Sequence, residues 1–237
     1  NPPESTCMSG WHTFKLVKEK NIKVTLDGQG ADEQLAGYLS YIPSYLLSLS
    51  YKDFFKELPK FLRIPGSKKQ VLYAFLLTHY SILFGKGLTN KTIQILLKRE
   101  MPMHLGEELQ KSMGTGLVTL LHYADHTTAA HSVESRMPFM DYRLVELLAS
   151  IPATYKMHKG WTKYIARLAF DGKLPNEICW RQDKMGWPIP EEYWFNGELK
   201  EWFNQSTKTH EDINGIKNKI RILNINTLFR VFFREKE

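Results

Sequence analysis

A short alternating segment that runs straight into a glycine-rich acidic turn constrains this chain more than any other feature. Ile22, Val24 and Leu26 alternate with Lys23 and Thr25, the period-two pattern of a strand, and the next residues are Asp27-Gly28-Gln29-Gly30-Ala31-Asp32-Glu33. Residues 12–20 read as a helix, with Phe14, Leu16 and Val17 apolar and Asn21 as its stop; residues 32–41 read as a second. Helix, strand, glycine-rich turn and helix in that order is expected at the carboxyl end of a strand in a doubly wound α/β sheet, where ligands bind.

The turn combines what a phosphate and metal site requires. Gly28 and Gly30 let the backbone approach a ligand and adopt positive φ, the following helix offers N–H groups, and the carboxylates suit a hard cation. The same pattern also makes an ordinary strand-to-helix connection, so local sequence leaves both readings open.

Beyond residue 43 the pattern is mainly helical. Residues 45–58, 71–83 and 92–99 carry helical periodicity, broken at Pro59, at Pro65-Gly66 and at Gly85 and Gly87. Asp141 is placed to cap a helix whose stripe is Leu144, Val145, Leu147, Leu148 and Ile151, with Pro152 ending it. Residues 162–170 form a further helix, and 191–237 read as amphipathic helices rich in Trp and Phe. The organisation is thus a strand, loop and flanking helices over 1–43 and a mainly helical remainder over 44–237.

With 43% hydrophobic and 24% charged residues, the 237-residue chain has globular proportions. Cys7 and Cys179 lie far apart without Cys-x-x-Cys spacing, which argues against a disulfide framework or thiolate site and for a reducing cytoplasm. The longest apolar run, 71–84, is interrupted by Thr78, His79 and Ser81, so a soluble protein without a membrane partner is expected. The opening Asn1-Pro2-Pro3-Glu4 reads as the interior of a longer protein. The formal charge of +7 comes from scattered lysines and arginines and does not by itself point to nucleic acid.

Three other clusters bear on chemistry. On a regular helix Lys163 and Arg167 share a face, and two adjacent cations suit an anion such as a triphosphate or pyrophosphate, although a solvated basic face is the commoner outcome. In Ser132-Val133-Glu134-Ser135-Arg136-Met137-Pro138-Phe139-Met140-Asp141, the charges Glu134, Arg136 and Asp141 stand among apolar residues and must pair or bind something if buried. His122 and His126 have helical zinc-site spacing, but Tyr123 stands where a metalloprotease glutamate would be required.

Together these segments resemble the synthetase domain of the asparagine-synthetase family. The 27–33 loop with Ala36-Gly37-Tyr38 is similar to that family's acidic glycine-rich motif, and 132–141 to its Val-Glu-x-Arg-x-Pro-Phe-x-Asp signature. Gly160-Trp161-Thr162-Lys163-Tyr164 resembles its Gly-x-x-Lys segment, and 181–190, with Lys184-Met185-Gly186-Trp187-Pro188, its Lys-x-Gly-Phe-Pro stretch. Four motifs in the family's order are more specific than any one alone.

The resemblance implies an α/β fold of the adenine nucleotide alpha hydrolase type with a parallel sheet, of which this mostly helical segment supplies at least the strand 22–26. It implies ATP and magnesium, activation of the side-chain carboxylate of aspartate as an acyl-adenylate, and attack by ammonia released from glutamine. By position, Asp32 would hold magnesium through pyrophosphate and Lys163 would bind the phosphates. Gly28 and Gly30 would give the backbone room. Arg167 and Lys184 would be phosphate-side candidates, and Gln29, Glu134 and Arg136 would shape the site. The family's Ser-Gly-Gly-x-Asp-Ser pyrophosphatase loop and its glutaminase domain are absent from this sequence, so the implied partner is the amino-terminal remainder of the same polypeptide. The chain alone is then expected to be inactive, with exposed apolar surface near 22–35. Gln29 stands where some members carry Glu, and an amide cannot take a proton as a base. A related synthetase acting on another carboxylate, or a non-catalytic helical interaction module, fits the same motifs.

Overall fold

Helix-forming segments separated by caps and turns dominate the computed structural model, which describes residues 6–98, 100–102, 104–183, 190–207, 222–224 and 226–227. In chain order the elements are α1 (Thr6–Glu19), β1 (Val24–Leu26), α2 (Ala31–Leu35), α3 (Ile42–Leu47), α4 (Tyr51–Phe61), α5 (Lys68–Leu97), α6 (Leu105–Ser112) and α7 (Val118–Ala129). They continue with β2 (Glu134–Arg136), α8 (Tyr142–Ser150), α9 (Ala153–Lys156), α10 (Tyr164–Phe170), α11 (Asn176–Cys179), α12 (Glu191–Asn196) and α13 (Lys200–Thr207). Short 3-10 turns occupy Leu39–Tyr41 and Pro138–Met140.

Among the described residues the sheet has two strands, β1 and β2, running parallel. Glu134 N donates to Lys23 O and Asp27 N to Arg136 O, each at 2.8 Å. The expected strand is therefore real but begins at Val24 rather than residue 22, and it has one partner among the described residues. Val24 is 40% and Leu26 77% exposed, so apolar surface is indeed open on this strand, whereas Ala31 and Leu35 further on are buried.

The chain divides into two units by its contacts, one of residues 24–122 and 135–184, the other of 1–23, 123–134 and 185–237. In the first, α3 packs on α5 and α4, and the core gathers Ile42, Tyr45, Leu46, Phe54, Phe61 and Val71. Ser50 caps α4, its Oγ accepting from Asp53 N at 3.2 Å, and this cap divides the single helix expected over 45–58. Pro59 does not break the helix where the sequence predicts, and α4 continues through it to Phe61. In the second unit, Trp11 packs edge-on against His131 and Phe195 stacks on Phe203.

Gly85 does break its helix. Its φ of 81° and ψ of 155° lie outside the helical region and divide α5 into two shorter helices, as the sequence predicts. By length and composition alone, α5 is the one helix among the described residues that could cross a membrane. Its buried Val71, Ala74 and Leu77 belong to a face that packs inside the protein.

Candidate functional site

The residues singled out around Asp27 and Lys163 meet within the first unit. Beyond β1, Gln29 N donates to Asp27 Oδ1 at 3.2 Å, which folds the turn onto its own aspartate. Gly30 then enters α2 with a φ of 87°. A Cβ at Gly30 would lie 2.6 Å from Met140 Sδ, so the glycine is required both for conformation and for close approach to the 138–140 turn. At Gly28, by contrast, a Cβ would meet open space, and the backbone is accessible there.

The helix after the turn is much shorter than expected. Instead of running over 32–41, α2 spans five residues and ends at Ala36 in the left-handed conformation, φ 55°. The N–H groups of Ala31 and Gln34 are bonded to Gly28 O and Gly30 O. These two amides are therefore spent within the turn, and the charged side chains carry the electrostatics of the site.

Asp32 and Glu33 share the first turn of α2 but have different surroundings. Glu33 is 3% exposed and accepts a 2.7 Å hydrogen bond from Tyr38 Oη. Burial, followed by that bond and the nearby carboxylates, pushes the Tyr38 phenol well above its ordinary range. Asp32 remains about a quarter exposed, and Lys163 Nζ lies 3.0 Å from its Oδ1, itself 33% exposed. Room for this pair comes from Gly37, where a Cβ would collide with both Asp32 Oδ1 and Lys163 Cε.

Two features deliver Lys163 to this point. Gly160, at φ 78°, presses against the end of α4, where a Cβ would lie 2.6 Å from the carbonyl oxygen of Lys60. Lys163 N then donates to Leu35 O at 3.2 Å, which binds the lysine backbone to the last residue of α2. Lys163 has a left-handed φ of 53° and caps α10 rather than lying inside it.

That conformation overturns the shared helical face expected for Lys163 and Arg167. A left-handed residue interrupts the 100° progression, and the two cations diverge. Arg167 donates from Nε to Thr162 O at 2.8 Å and from Nη1 to Cys179 O at 2.6 Å, with its guanidinium 5.0 Å from the Trp161 ring centre. Burial lowers its pKa. These contacts give Arg167 a definite role in fastening α10 to α11.

Glu134 and Arg136 are exposed on β2 rather than buried, and the Arg136 carbonyl receives the Asp27 amide. Asp141 caps α8 as expected, accepting from Arg143 N at 3.0 Å. Gln29 is half-buried beside Gly30. Lys184 lies outside the described residues. Sequence reasoning passed over Gln34, whose Nε2 donates to Phe139 O at 2.5 Å and joins the acidic loop to the 138–140 turn. A lone glutamine at that position carries no distinguishing local pattern.

Among the described residues, no group of three or more His, Cys, Asp or Glu could hold a metal ion. A single partly exposed carboxylate beside a lysine does suit an ion that arrives on phosphate oxygens, since magnesium is commonly held by one or two carboxylates plus substrate phosphates.

A family model described as asparagine synthase matches residues 4–225. The chain is similar to asparagine synthetase [glutamine-hydrolyzing] 1 of Bacillus subtilis, with 26% identity over 80% of this chain and 34% of that protein. It is also similar to a putative asparagine synthetase [glutamine-hydrolyzing] of Mycobacterium tuberculosis, at 29% over 80% of this chain and 33% of that one. Against asparagine synthetase [glutamine-hydrolyzing] of Gallus gallus the identity is 37%, over 35% of this chain and 16% of the relative. The chain thus spans about a third of the length of the first two relatives.

Proposed function

Because the chain belongs to the asparagine synthase family, we propose that it forms one side of an ATP-dependent amide-forming active site completed by an amino-terminal remainder of the same polypeptide. The observation that carries the reading is the partly exposed pair of Lys163 and Asp32, 3.0 Å apart beside the glycine-rich loop.

In this reading a side-chain carboxylate oxygen of aspartate attacks the α-phosphorus of ATP. The bond to the bridging oxygen breaks and pyrophosphate leaves with the electron pair. Ammonia derived from glutamine then attacks the acyl carbon, AMP departs, and loss of a proton from nitrogen gives asparagine. Lys163 supplies positive charge where the leaving pyrophosphate gains negative charge, a contribution that is large when the group is already in place. Asp32 would hold magnesium through the pyrophosphate, and the ion would neutralise phosphate charge. Gly28 leaves backbone space beside the phosphates. Gln29 orients rather than takes a proton. Arg167 and the exposed Glu134 and Arg136 shape the walls, and Lys184 remains a phosphate-side candidate. The reading places the reaction in the cytoplasm, with small-molecule substrates.

The carboxylate substrate is the part to test. Full-length protein supplied with ATP, magnesium and a panel of acids should release pyrophosphate with aspartate in preference to the others. Release with a different acid and not with aspartate would retain the chemistry and overturn the substrate; release with none would remove the synthetase reading.

A further inference from the structure

A cavity of about 650 Å³ lies among α3, α4, α5 and the start of α6, on residues that the Asp32 and Lys163 site does not use. Its size is within the usual range for small-ligand pockets. One wall is apolar: Leu46 and Phe54 are almost fully buried, and Leu49, Ile82, Met101 and Pro102 extend it.

The polar lining is sparse and mostly donates. Ser81 Oγ is buried and has no hydrogen-bond partner among the described residues, so the accessible donors lie elsewhere in the lining. Thr78 has spent its hydroxyl on Ala74 O at 2.9 Å. Asn90 Oδ1 receives Met101 N at 3.2 Å, which pins the 101–102 segment as a wall and leaves the amide N–H groups for another acceptor. Lys86, just after the Gly85 break, adds a cation with no ion-pair partner among the described residues. Glu107 supplies the opposing negative charge in the lining.

The geometry points to this cavity as a binding site for an amphipathic monocarboxylate, with its apolar body on Leu49, Ile82, Met101 and Pro102 and its carboxylate met by Lys86 and Asn90. Two donor groups, the Lys86 ammonium and the Asn90 amide, favour an acceptor-rich head over an amine. Glu107 disfavours the second negative charge of a phosphate monoester. The apolar wall accounts for the body.

Equilibrium dialysis of the chain against radiolabelled decanoate, kept below its micelle threshold, tests this directly. The expected result is one saturable site, with decylamine unable to compete and decyl phosphate competing at least about tenfold more weakly. Lys86→Gln removes a charge-assisted contact and should weaken decanoate about tenfold. Gly87→Trp places bulk in the lining at a position where a Cβ meets open space, and should abolish binding. Circular dichroism establishes that each variant retains its helices; should Gly87→Trp fail to fold, Lys86→Gln still decides. Unsaturable partitioning, competition by decylamine equal to that of decanoate, or unchanged affinity in Lys86→Gln would overturn the assignment.

Discussion

Lys163 reaches across from the start of α10 to place its ammonium 3.0 Å from Asp32 Oδ1, joining residues 131 positions apart in sequence. Neither partner is deeply buried, so the pair stays accessible to an anion. Its arrangement depends on the missing side chain of Gly37 and on the left-handed backbone of Lys163 itself.

Because both side chains are partly solvated, the ion pair should contribute little to folding. Lys163→Ala is expected to change unfolding free energy by no more than about 1 kcal/mol. Urea denaturation checks this, and a much larger loss would mean that Lys163 is chiefly structural.

Gly37→Ala should separate those effects from the other side. The new methyl would press on the Asp32 carboxylate and the Lys163 stem, which can move, rather than on backbone. Aspartate-dependent pyrophosphate release by the full-length protein should fall at least about tenfold through misplacement, while the melting temperature changes little. Kinetics and melting measured together would expose a purely structural effect.

Gly160→Ala should behave differently, since its methyl would meet the Lys60 carbonyl with φ at 78°. Backbone cannot yield as a flexible side chain does, so a destabilisation of roughly 1–3 kcal/mol is expected. At about 2–4 °C per kcal/mol for a chain of this size, calorimetry would register it clearly.

Asp141 gives a pH prediction. Hydrogen bonds from Arg143 hold its carboxyl at about 2, below the ordinary 3.8. A depressed folded-state pKa means that the contribution to stability is present above the unfolded value and is lost as pH falls through about 2. An NMR titration should find this midpoint and should see it rise in Arg143→Gln.

Much of this was legible before folding because the signals are local. Alternation exposed β1, the α8 cap followed from Asp141, and the Gly85 break followed from glycine in a helical run. The remainder depends on long-range contacts. Residues 134–136 form too short a strand to show alternation, and their pairing is set by β1. The early end of α2 at Ala36 was hidden by a sequence that continues to suit a helix. Lys163 and Arg167 looked like neighbours only while the helix was assumed to be regular; one left-handed residue sends the first to Asp32 and leaves the second on the backbone of Cys179.

The central claim is that Lys163 and Asp32 form the magnesium-pyrophosphate side of the ATP pocket. Its most direct test is aspartate-dependent pyrophosphate release by the full-length protein, comparing wild type with Lys163→Ala and Asp32→Asn. Removal of a charge placed for the transition state should lower turnover by about a hundredfold or more in each variant, without loss of fold. Wild-type turnover in both variants would contradict the account.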